Sequence, residues 1–91
     1  MARPSSKAVL TVSETATPGV VSVAGSDFHK DDLVAFAITN AGMWITVMAD
    51  GDGAFSFDHM LGVPAYDGTW TFYAYQHFSG KWRVMASAIY P

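Results

Sequence analysis

The chain contains no cysteine, which removes disulfides and thiolate metal ligands from any account of what holds it together. Charge is sparse and split: five Lys and Arg against eight Asp and Glu give a net charge of −3. The basic residues Arg3, Lys7, Lys30, Lys81 and Arg83 form no run. The several phosphate contacts that a sequence-independent grip on nucleic acid needs are therefore not gathered on one face. Long hydrophobic runs are missing too. The most apolar stretch, Leu33–Met48, is interrupted by Thr39, Asn40, Gly42 and Thr46 and is too short and polar to span a bilayer. Met1–Lys7 is basic and polar, but no apolar h-region follows it, so no secretory signal is read there. The chain is expected to be made in a cytoplasm, and to leave a cell only as part of something larger.

Helical spacing is also absent. Apolar residues make up 51% of the sequence, yet they recur by alternation with small polar residues, the period of a half-buried strand. Each alternating run stops at Gly, Asp, Asn or Pro. Strands are expected at Ala8–Ser13, Val20–Ala24, Leu33–Thr39, Met43–Ala49, Phe55–Met60, Thr69–Phe78 and Lys81–Ile89. The stops between them include Thr17-Pro18-Gly19, Asn40-Ala41-Gly42, Asp50-Gly51-Asp52-Gly53, a loop over Gly62–Gly68 containing Pro64 and Asp67, and Ser79-Gly80. Met1–Lys7 reads as a flexible arm, and residues 8–91 as one domain. Seven strands at roughly 8–12-residue spacing predict a two-sheet sandwich, with a small barrel as the competitor that uses the same alternation.

The order of motifs from Val20 onward resembles the immunoglobulin-like modules of bacterial surface proteins and bacteriophage virion proteins. That family has a strand followed by Gly-Ser-x-Phe, here Gly25-Ser26-Asp27-Phe28, and a polar pair entering an alternating strand, here Asp31-Asp32 before Val34, Phe36 and Ile38. It has an Asp-x-Asp-Gly-x-Phe turn, here Asp50 to Phe55, and a Gly-Thr-aromatic entry, here Gly68-Thr69-Trp70. The resemblance covers about residues 8–90. The chain departs from the pattern at Lys30-Asp31, where the family often has Pro-Gly, and in its aromatic C-terminal part. The resemblance implies an immunoglobulin-like Greek-key β-sandwich that spaces, decorates or adheres rather than catalyses. A phage capsid decoration or virion accessory protein is the expected setting.

Alternation assigns an inner set: Val34, Phe36 and Ile38; Ile45 and Val47; Phe55 and Phe57; Trp70, Phe72 and Ala74; with Leu10, Val12, Val21 and Val23 opposite. The third, sixth and seventh strands are neighbours in an immunoglobulin-like sheet. Their solvent side is then expected to carry Leu33, Ala35, Ala37, Tyr73 and Tyr75, with Arg83 and Met85 if the last strand turns Trp82, Val84 and Ala86 inward. Small apolar residues beside tyrosines suit a flat contact with another protein, so this stripe and the N-terminal arm are the expected docking surface. The partner is expected to be a subunit of a capsid or tail, or another copy. Docking of a sugar on Trp44 or Trp82 is the rival reading.

Other chemistry fares less well. Asp50, Asp52 and Asp58 imitate part of a calcium loop, but position 61 is Leu where that loop needs Glu. His29, His59 and His77 make no close pair, and zinc needs three or four convergent ligands. No Gly-x-Ser-x-Gly elbow surrounds a serine, and adjacent Asp31 and Asp32 would point to opposite sides of an extended chain. No enzyme, metal or cofactor is expected.

Overall fold

The computed structural model describes residues 8–39, 44–62 and 68–91. The Met1–Lys7 arm, the Asn40-Ala41-Gly42 stop, Met43, residues 63–67 of the loop and the side chain of Trp44 lie outside the described residues. The seven strands are β1 (Val9–Glu14), β2 (Val20–Ser26), β3 (Leu33–Ile38), β4 (Trp44–Met48), β5 (Phe55–Met60), β6 (Trp70–Phe78) and β7 (Lys81–Tyr90). Each lies within two residues of its expected span. All pairings are antiparallel, in a three-stranded sheet of order β1-β2-β5 and a four-stranded sheet of order β4-β3-β6-β7. Among the described residues the ladders form two separate sheets rather than one closed cylinder, which favours the sandwich over the barrel.

Turn chemistry delivers each strand to its place. At Thr17-Pro18-Gly19-Val20 the Val20 amide donates to the Thr17 carbonyl at 3.2 Å, and Gly19 sits at φ +80°. Pro18 pre-sets the preceding angle, so the sequence fits a type II turn. Ser79 and Gly80 both have positive φ, 51° and 81°, the twist that a two-residue hairpin needs between strands. At Asp50 the side chain itself is the turn-former: its Oδ1 accepts the amides of Asp52 at 2.8 Å and Ala54 at 3.0 Å.

The inner faces share one core. Leu10, Val21, Val23 and Phe55 from one sheet meet Val34, Phe36, Ile38, Phe72, Ala74 and Met85 from the other, with Phe28 and Ala49 closing one end. Phe36 bridges the sheets, edge-on to Phe55 at 5.4 Å and to Phe57 at 5.2 Å. The inner set read from alternation is accordingly buried or packed on the core, including Val12, Ile45, Val47, Phe57 and Trp70.

The Gly25–Phe28 and Asp50–Phe55 motifs meet in space. Gly25 stands opposite Phe55 in the β2–β5 register, and a Cβ there would fall inside the Phe55 ring. Phe28 lies edge-on to that ring at 5.0 Å. The Phe28 amide donates to the Gly53 carbonyl at 3.1 Å and the Asp31 amide to the Asp50 carbonyl at 3.0 Å. Gly53, at φ +75°, has no room for a side chain because the Phe28 carbonyl oxygen occupies it. Two glycines thus let two loops and an aromatic pair close over one end of the core.

The remaining support for that end is Gln76, the only buried polar residue among the described ones. Its Oε1 accepts the His29 amide at 2.9 Å and its Nε2 donates to the His29 carbonyl at 3.0 Å. Both halves of one side-chain amide therefore serve the N–H and C=O of one residue of the β2–β3 loop, which is how a buried polar side chain is kept satisfied.

Candidate docking face

The outer faces of the two sheets differ in kind. On the three-stranded sheet, alternation turns Thr11, Ser13, Ser22, Ala24, Ser26, Ser56 and Asp58 outward, a hydroxyl-rich surface with Val9, Val20 and Met60 at its margins. On the four-stranded sheet the register aligns outward residues in rows. Met48 stands beside Leu33, Thr46 beside Ala35, and Ala35 beside Tyr75, which stands beside Val84. Ala37 stands beside Tyr73, and Tyr73 beside Ser87; Thr71 pairs with Ile89 and His77 with Trp82. No Asp, Glu, Lys or Arg occupies any of these positions. The exposed large apolar residues Leu33, Met48, Tyr73, Trp82, Val84 and Ile89 all lie on this face.

Leu33, Ala37, Tyr73 and Tyr75 stand where the sequence places them, on the outward side of β3 and β6. Ala35 does too, but only 5% of it is accessible, because a methyl group between Thr46 and Tyr75 lies at the bottom of a trough. Arg83 and Met85 do not belong to the face. The β6–β7 register shifts between Ala74 and Tyr75: Ala74 pairs with Ala86 but Tyr75 pairs with Val84, so Met85 is an extra residue. Such a bulge changes the phase of the strand on either side of it. Met85 is 8% exposed and part of the core, whereas Trp82 is 47% and Val84 51% exposed. Arg83 pairs with Gln76 and stands on the inward side of the edge strand, reaching solvent there. Ala86, beyond the bulge, packs against the core as expected. The face therefore gains Trp82 and Val84, and it gains Met48 and Ile89, which the sequence reading did not single out. Met48 was legible in principle, since it shares the phase of Thr46 opposite inward Ile45 and Val47.

The corner of the face is ordered by ring contacts. His77 and Trp82 are edge-on at 5.3 Å, a cross-strand pair of the type that fixes register. Near the opposite end, Thr39 caps the β3–β6 ladder: its amide donates to the Thr71 carbonyl at 3.0 Å, and its hydroxyl accepts the Thr71 amide at 3.2 Å.

The acids and histidines lie elsewhere. The Asp50 carboxylate is occupied by turn amides, which hold its pKa below the usual value: first Ala54, then Asp52. Asp58 is exposed on β5, opposite Ser22 on the other sheet's outer surface. Among the described residues no group of three or more His, Asp or Glu could hold a metal ion. His59 lies inward, edge-on to Phe72 at 6.1 Å, where burial pushes its pKa down. His29 stacks obliquely on Phe78 at 5.2 Å. Among the described residues no helix is long and apolar enough to cross a membrane.

Compared with protein-family models, curated proteins and solved structures, the chain matches none.

Proposed function

We propose that this chain is a non-enzymatic docking module, an immunoglobulin-like β-sandwich that works by seating the uncharged outer face of its four-stranded sheet on another protein subunit. The observation that carries the reading is the absence of charge from the described outward positions of four adjacent strands in a chain of net charge −3. A solvated sheet face is normally rich in polar residues, and the centres of protein interfaces are depleted of charge and enriched in Tyr, Trp and Met. The strand order supports the immunoglobulin-like part. The first, second and fifth strands share one sheet and the third, sixth and seventh share the other, the division expected of that fold. The junction of Gly25, Phe28, Gly53 and Phe55 gives the motif resemblance a physical basis.

The resemblance to virion modules gives the setting: a capsid-decorating or virion accessory protein. The sugar reading asks for Asp, Asn or Gln beside an exposed aromatic. Trp82 is exposed, but the described outward positions of its sheet hold none of these, and Gln76 is committed to the His29 backbone. Docking on protein is therefore preferred.

The test is incorporation into particles in the producing cells. Tagged wild-type chain should band with gradient-purified virions, and Val84→Lys and Tyr73→Lys should leave that band while remaining folded. Wild-type chain absent from the particle band would remove the virion setting. Lysine variants that band like wild type would remove the face.

A further inference from the structure

The inference concerns what lies on the uncharged face, and it rests on the docking reading above. On β3 the outward residues Ala35 and Ala37 make a trough one strand wide. On the neighbouring strand β6 their register partners Tyr75 and Tyr73 make a ridge. Adjacent strands are about 4.8 Å apart, so trough and ridge are of similar width and lie side by side. A surface with this pattern is its own complement. A two-fold axis running parallel to the strands, between two such faces and above the β3–β6 boundary, places the ridge of each copy over the trough of the other.

We propose that the occupant of the face is a second copy of this chain, in an isologous face-to-face dimer with Tyr73 of each copy over Ala37 of its partner, the more open of the two alanines. Symmetry makes every contact occur twice. Tyrosine fills a trough with apolar area while keeping its hydroxyl at the rim.

Charge and area both favour this occupant. Two copies of a chain with net charge −3 repel least where the contact itself holds no close like charges, the remaining repulsion being screened by salt. Here the described acids lie on the Asp27–Asp32 loop, the Asp50–Asp52 turn, the end of β1 and the outer surface of the other sheet. A strongly basic or acidic partner would find no counter-charge on this face, whereas another uncharged face loses nothing by meeting it. The exposed large side chains of the face offer on the order of 600 Å² before the intermediate and polar positions are added, against the about 800 Å² per partner of a standard interface. Two aligned sheets can pack in this way at about 10 Å separation.

Sedimentation velocity over a range of concentrations tests the proposal directly. Wild-type chain should move from monomer to dimer. Val84→Lys should weaken the dimer by about tenfold or more, because an unpaired charge is driven into the interface. Ser56→Lys, on the hydroxyl-rich outer surface, should leave it unchanged. Urea midpoints of the variants confirm that the monomers stay folded. The geometry is tested by cross-linking, clean in a chain without cysteine. A mixture of Ala37→Cys and Tyr73→Cys chains should be joined by a short bis-maleimide, which spans the about 10 Å between facing sheets that a disulfide cannot, faster than either chain is joined to itself. A wild-type chain that stays monomeric at all concentrations overturns the second copy but not the docking reading, which would still be tested by loss of Val84→Lys from particles. A dimer broken by Ser56→Lys and not by Val84→Lys overturns the second copy on this face, and the docking reading falls only if Val84→Lys also bands with particles like wild type. No preference for the mixed cross-link overturns the ridge-in-trough arrangement.

Discussion

Replacing Gln76 by Leu should be among the most damaging single changes available to this chain, although it exchanges one buried side chain for another of similar volume. Gln76 is fully buried and holds both main-chain polar groups of His29. Leucine leaves an amide and a carbonyl without their partners. An unsatisfied buried backbone group costs about 1–3 kcal/mol. His29 is only partly buried, so water recovers some of that loss, and about 2–4 kcal/mol in total is expected for the pair. A domain of 91 residues has roughly 5–14 kcal/mol of stability to lose. The assay is urea unfolding, read as a shift of midpoint at constant slope, together with hydrogen exchange at the His29 amide. That amide should lose protection even under conditions where the core strands keep theirs, because the loop opens before the sheets do. Gln76→Glu sharpens the test. Its carboxylate can accept the His29 amide but faces the His29 carbonyl with a second acceptor, so this variant should be restabilised as acid protonates it. A Gln76→Leu chain that loses less than about 0.5 kcal/mol, the range of an ordinary surface change, with His29 exchange unaltered, would refute the clamp.

The bulge makes a paired prediction. Met85→Lys should destabilise the fold by several kcal/mol, on the order expected for an unpaired charge in a core, while Val84→Lys should unfold at nearly the wild-type urea concentration. Equal effects would mean that β7 is in a different phase. Gly53→Ala should cost clearly more than Gly80→Ala in thermal unfolding. Both glycines have positive φ, but only at Gly53 does backbone stand where the methyl would go; the angle alone costs about 1–2 kcal/mol. Acid should act in two steps. Burial lowers the His59 pKa from its ordinary 6.5, so the unfolded chain binds more protons there and stability falls as pH drops below that value. Asp50, held below its ordinary 3.8 by the Ala54 and Asp52 amides, keeps its contribution above that pH and loses it as pH falls through the folded value. His59→Gln should flatten the first limb in pH-dependent urea titrations and Asp50→Asn the second. Unchanged limbs in both variants would assign the acid response to other groups.

Seven strands, their turns and most of the core were legible because each depends on local chemistry: alternation, a Pro-Gly turn, an Asp side chain bonding its own amides. The phase of β7 was not. Trp82, Val84, Ala86, Ala88 and Tyr90 are spaced by twos and all apolar, so the strand reads as one unbroken stripe and nothing local marks where its phase slips. The slip is set by pairing with β6, a long-range fact. Ala35 shows the same limit. Its direction followed from Val34 and Phe36 pointing inward, but its low exposure depends on Thr46 and Tyr75, which only the register brings beside it. The Gln76 clamp was invisible for a third reason. Its partner is a main-chain unit 47 positions away, and a backbone group has no sequence signature.

The bulge at Met85 also bears on how far assembly can go. β7 is a ten-residue edge strand, and a long regular edge is a template on which chains add one after another without limit. The extra residue interrupts that regularity midway and increases the local twist, and Lys81 and Arg83 place charge on the same strand. Growth along the edge is thereby discouraged, while the face, which closes on one partner by symmetry, is left free. The one irregularity in the ladder thus separates an interaction that ends at two from one that does not end.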